Sequence, residues 1–187
     1  MSDLFGFDRH DAGGKVRTAL PPGLNGDAVF AGTREQHRPI LRRWVGDHFP
    51  ASYAALIGMN PSEATESAND PTITREWGFT ERWGYSGFVK VNVSDYRATH
   101  QKDLLALGAS GLRSEDYWSL VWPVLVDADL VVACWGSVNK ALRPLVSEMR
   151  ARLADLDGIM CFGLNADGNP KHPLYLANST ELVPFTP

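Results

Sequence analysis

Residues 53–62, Tyr53-Ala54-Ala55-Leu56-Ile57-Gly58-Met59-Asn60-Pro61-Ser62, form a short apolar run that closes on a glycine and a proline. A run of this length, ended in this way, reads as a buried strand turning into a polar loop. Downstream, Asp70-Pro71 predicts a helix start. The aspartate side chain can accept free amide hydrogens at the N-cap, proline suits the first helical position, and Ile73, Trp77 and Phe79 follow. Gly87 to Asn92 has the composition of a second strand. Ser114 to Val126 carries Trp118, Val121, Trp122 and Leu125 on one helical face, Leu130 to Trp135 is a third strand, and Leu142, Leu145, Val146, Met149 and Leu153 mark another helix before a fourth strand at Ile159 to Gly163. Upstream, Ile40, Leu41, Trp44 and Val45 recur at helical spacing, with Arg34, Arg38, Arg42 and Arg43 at the other positions, which predicts an amphipathic basic helix from Arg34 to Val45. Strand and helix alternate. With right-handed crossovers, that alternation predicts an α/β, three-layer αβα domain around a mainly parallel central sheet.

The 187 residues, 44% of them hydrophobic, suffice for one substantial core. Residues 1–32 are rich in Gly, Asp and Pro and read as a loosely ordered N-terminal extension, with a single domain over 33–187. Cys134 and Cys161 lie in apolar runs and read as packed thiols. No stretch approaches the roughly 20 apolar residues that span a bilayer, and no apolar leader opens the chain, so the expected location is cytoplasmic. A net charge of -4 argues against a broad footprint for duplex DNA and leaves room for a local basic patch.

Four predicted strand ends finish in residues that can handle a nucleobase: Gly58 to Ser62, Val91-Asn92-Val93, Cys134 to Ser137, and the segment Lys171 to Leu176. In an open parallel sheet, ligands sit beyond the carboxyl ends of the strands, which makes these one site. Other chemistries lack their signatures. There is no phosphate-loop lysine motif or dinucleotide Gly-x-Gly-x-x-Gly, the histidines show no paired metal spacing, and Ser62 and Ser137 lie in no nucleophile elbow. No cofactor and no metal is called for.

Across roughly Arg34 to Phe185 the chain resembles the bacterial and phage family called domain of unknown function 1643. The resemblance rests on His37-Arg38 through Arg43-Trp44, Gly58 to Ser62, Asn69 to Arg75, Asn92 with Arg97-Ala98-Thr99, and Gly168 to Leu176. More distantly, the order of motifs is similar to the uracil-DNA glycosylase superfamily, which implies a parallel sheet with a base pocket at its carboxyl edge. Gly58-Met59-Asn60-Pro61 looks like the glycosylase motif that positions the attacking water, in the form with asparagine in place of aspartate. Asn92 matches the amide that reads the base. Val131 to Lys140, with Trp135-Gly136-Ser137, is similar to the strand and loop before the final motif. Lys171-His172-Pro173 begins like the loop whose histidine stabilises the departing base, with Leu176 near the place of the intercalating wedge.

Cleaving an N-glycosidic bond puts positive charge on the sugar and negative charge on the base, so the site needs a donor for the leaving base and an oriented water. Asn60 and His172 are the candidate catalytic residues. Asn92, Trp135, Ser62, Arg75, Arg97 and Leu176 are the candidate substrate-binding residues. Each has a structural alternative: a turn before Pro61 for Asn60, backbone capping for Asn92, loop structuring for His172, core packing for Trp135, and ion pairing for Arg75 and Arg97. An amide cannot accept a proton as a carboxylate does; Glu63, Asp70 and Asp95 are near enough in sequence to supply a base, although Asp70 is also explained as a helix cap. The expected function is binding of a nucleobase or modified nucleotide, free or in DNA, with hydrolysis of an N-glycosidic bond. The alternative is a non-catalytic protein that senses the same ligand. No membrane partner is expected.

Overall fold

A computed structural model describes residues 17–187. A seven-stranded sheet forms its centre, in the order β2-β3-β6-β4-β7-β8-β9, with these strands at Leu24–Ala31, His37–Val45, Gly87–Asn92, Ala54–Gly58, Leu130–Ala133, Met160–Cys161 and Val183–Pro184 respectively. A separate two-stranded ribbon pairs β1 (Thr18–Ala19) with β5 (Ala68–Asn69). The sheet is mixed rather than mainly parallel. The β6-β4-β7-β8 pairings are parallel, while β2-β3, β3-β6 and β8-β9 are antiparallel.

Alternate residues of the central strands feed two cores. Ala55, Ile57, Val89, Val91, Val131 and Ala133 pack under α3 (Tyr117–Val126) and α4 (Arg143–Leu153). Ala54, Leu56, Phe88, Val132 and Cys134 pack against Ile73 and Phe79 of α1 (Pro71–Arg82) on the other face. Burying a side chain such as Leu56 or Ile57 completely stabilises the fold by about 1.5–3 kcal/mol. The remaining helix, α2 (Gln101–Leu104), is a single turn. No helix among the described residues is long and apolar enough to cross a membrane.

One expectation fails at the N-terminal side. The predicted basic helix over Arg34 to Val45 is the strand β3, preceded by a 3-10 turn at Thr33–Glu35. Pro39 inside a helix would remove a hydrogen bond and clash with the preceding turn. In the strand it falls where the β2-β3 register shifts, between the Val29–Ile40 and Ala31–His37 pairings, and a bulge tolerates a residue without an N–H. Apolar Ile40 and Leu41 face opposite cores, so their adjacency reflects a strand buried on both sides. The partner strand β2 lies within the stretch expected to be loosely ordered. Residues 1–16 of that stretch lie outside the described residues.

The cysteines are buried and free. At α1, Asp70 is the N-cap: its Oδ1 accepts from the Ile73 N–H at 2.9 Å, with Pro71 at the first position.

Candidate functional site

The carboxyl ends of β4, β6 and β7, the N-terminus of α1 and a 3-10 turn at Pro173–Tyr175 enclose a cleft of about 470 Å³. Gly58 allows the strands to close around it. A Cβ there would stand 2.6 Å from Asn92 Oδ1 and 2.7 Å from Lys90 Nζ, so any side chain would displace the groups at the floor. Gly136, at a φ of 76°, turns the chain after β7 and lies close to His172, where a Cβ would come within 3.1 Å of the His172 Cβ. Asn60, Ser62, Asn92, Trp135 and His172 all line this one cleft.

Asn92 is the floor. It is 1% exposed, its backbone carbonyl accepts from the Tyr117 hydroxyl, and its side-chain Nδ2 has no hydrogen-bond partner among the described residues. A buried donor without a partner costs about 1–3 kcal/mol. Asn60 is held differently. Its Nδ2 donates to the carbonyls of Pro61 and Ala98, which fixes the amide plane and leaves Oδ1 as the acceptor. The turn role and the cleft position therefore coexist at Asn60.

His172 Nδ1 accepts from the Leu174 backbone N–H at 3.3 Å, so the neutral ring carries its hydrogen on Nε2. Burial, helped by the Lys90 charge and opposed by Asp70, lowers its pKa to about 4. At neutral pH the ring is thus an uncharged donor. Trp135 is a core residue with one surface on the cleft: it is 1% exposed, stands edge-on to Phe185 at 5.5 Å and donates from Nε1 to Asn169 Oδ1 at 3.1 Å. Ser62 Oγ lies 3.2 Å from Thr99 Oγ1, and both residues line the cleft.

The Arg, Lys, Asp and Glu residues of the lining, Arg38, Lys90, Glu63 and Asp70, had no part in the expected substrate-binding set. Lys90 donates to Glu76 beneath α1, with Cys134 Sγ 3.8 Å from each. Burial pushes the Glu76 carboxyl up, against the pull of Lys90, and pushes the Cys134 thiol up to about 12. Glu63 pairs with Arg17. Arg38 donates to the Ala64 carbonyl and its Nε has no partner among the described residues. Burial lowers the Arg38 pKa to about 10, with Asp70 opposing. Asp95 is elsewhere, tied to the His37 ring at 2.7 Å and to Ser114.

The family described as protein of unknown function (DUF1643) matches residues 38–174. The chain belongs to that family. No curated protein and no solved structure matches it. The family segment begins at Arg38 and ends at Leu174, both in the cleft lining, and contains Asn60, Ser62, Asn92, Trp135 and His172.

Three expected site residues are not in the lining. Arg75 donates to the Leu176 carbonyl and the Asn178 side chain. Arg97 is 2% exposed, donates to the Glu35 carbonyl at 3.1 Å and lies over the Phe30 ring. Leu176 packs against the core beneath α1, while its neighbours Leu174 and Tyr175 line the cleft. The aromatics of α1 are also core: Phe79 lies 4.6 Å from Phe162, and Trp77 6.3 Å from Phe88. Arg38 and Lys90 were missed as lining residues, and the readable signal was a lone lysine in the apolar run Gly87 to Asn92.

Proposed function

We propose that this cleft binds a nucleobase or modified nucleotide and hydrolyses its N-glycosidic bond, as the sequence likeness to uracil-DNA glycosylases implies. The observation that carries the binding is Asn92: a buried amide on the floor of the cleft with an unpaired donor and an acceptor on the same plane. That is the pattern a heterocycle edge completes. Trp135 offers a flat apolar wall, and His172 Nε2–H offers a neutral donor to a base oxygen.

Hydrolysis in this site uses groups already described. The C–N bond breaks with its electron pair going to the base, and His172 Nε2–H stabilises the charge that develops there. A water oriented by Asn60 Oδ1 bonds to the sugar carbon. Its proton passes to Asp70, the carboxylate that the asparagine motif lacks; Glu63 is less suited because Arg17 already holds it. Base release from a panel of modified nucleosides and oligonucleotides, followed by chromatography, tests the reaction, and Asp70→Asn should slow it about 10²- to 10⁴-fold. Ligand binding without release from any substrate would remove the enzyme claim.

A second reading, sensing without turnover, is favoured by one observation: the Asn60 amide is bonded to the Pro61 and Ala98 carbonyls, a structural duty that does not require chemistry. A nucleobase that raises Tm in the wild type and not in Asn92→Ala, with no product formed, selects it.

A further inference from the structure

We infer that the ligand is a free nucleoside or nucleotide, a single base still joined to its sugar, rather than a base extruded from a duplex; this rests on the nucleobase reading above. A protein that extrudes a base needs an exposed side chain to fill the gap and cations to hold the flanking phosphates. Here Leu176 and the nearby arginines are engaged by the protein itself, while Tyr175 stays exposed at the cleft mouth. Leu176 is partly buried against the core beneath α1, and its carbonyl accepts from Arg75. Arg75 also binds Asn178 and lies 4.8 Å over the Phe79 ring, Arg82 binds Asn178 and Glu181, and Arg97 is buried.

Charge at the cleft points the same way. Lys90 is matched by Glu76, Glu63 by Arg17, and the Arg38 charge is opposed by Asp70. Such an interior suits a single small polar ligand, whereas a polyanion meets a chain of net charge -4. The cleft volume lies within the range of small-molecule sites. Tyr175, 90% exposed at the cleft mouth, can then stack on a single ligand from outside.

Calorimetric titration of the full chain with a set of nucleosides, their 5′-monophosphates, and single-stranded and duplex oligonucleotides carrying the same bases tests this, each at low and high salt. The nucleoside or its monophosphate should bind about tenfold or more tightly than the duplex, with little salt dependence. Duplex binding that is equal or tighter, steep in salt and lost in Asn92→Ala overturns the inference and leaves the nucleobase reading standing. Binding in no arm removes both. Leu176→Ala provides a second check: it should lower Tm and leave the nucleoside-to-duplex ratio unchanged, and a selective loss of duplex binding contradicts the inference.

Discussion

Arg38 and Arg43 lie on the same strand, both buried and both with pKa values lowered to about 10 by desolvation, yet their surroundings differ. Arg43 is saturated: Nε donates to Asn69 Oδ1 at 2.7 Å, Nη1 to the Arg42 carbonyl at 2.8 Å, and Nη2 to the carbonyls of Thr65 and Ala68. It staples the segment between β4 and β5 to the sheet. Among the described residues the Arg38 side chain makes one bond, to Ala64, and leaves Nε unpaired at the edge of the cleft. The same contrast holds between the helix-covered core of α3 and α4 and the α1 side of the sheet, where Asn92 also keeps an unpaired donor. Unpaired buried polar groups are costly, and two of them, Arg38 Nε and Asn92 Nδ2, belong to residues lining one cavity, where a ligand can supply the partners.

Breaking the saturated side should have the larger effect. Arg43→Met leaves the Asn69 side chain and the Thr65 and Ala68 carbonyls without their donor, and should cost about 3–5 kcal/mol in denaturant unfolding. Arg38→Met should cost about 1 kcal/mol, because it removes a single hydrogen bond. Equal losses at the two positions would erase the distinction.

Next in size is Asn92→Ala, which should weaken nucleobase binding by about 1–3 kcal/mol in calorimetry while leaving Tm unchanged or higher, since it deletes an unpaired buried group. A large fall in Tm would instead assign Asn92 to the fold. Asp70→Ala should cost about 1 kcal/mol through the lost cap. If Asp70 has no part in the chemistry, Asp70→Asn retains base release at the wild-type rate.

The smallest effect is in pH. His172 has a folded pKa of about 4, below its unfolded value of 6.5. Between these values the unfolded chain binds the proton first, so stability rises with pH across about 4 to 6.5 and is lost as pH falls through that window. His172→Gln should flatten this part of the pH–stability profile. An unchanged slope would place the titration elsewhere.

The strand ends were readable because short apolar runs broke at Gly58, Asn92 and Gly136, and the Asp70-Pro71 helix start was readable from local capping chemistry alone. β3 was misread because Ile40, Leu41, Trp44 and Val45 satisfy both a helical period and a strand buried on two faces; Pro39 was the signal against the helix. β2 was hidden by its Gly and Asp content, since its stability comes from pairing with β3. The buried charges were illegible for a different reason. Lys90 meets Glu76, and Arg38 meets Ala64, only through tertiary contact, and no local pattern encodes a partner so far along the chain.

The central claim is that the unpaired Asn92 amide is the contact a nucleobase completes. Titrating a ¹⁵N-labelled chain with the panel of nucleosides and nucleotides, while following the Asn92 side-chain NH₂ signals, measures it directly. The account predicts that at least one ligand shifts those signals saturably and slows their exchange with solvent. A ligand that binds and leaves them unmoved, or a panel in which none moves them, contradicts it.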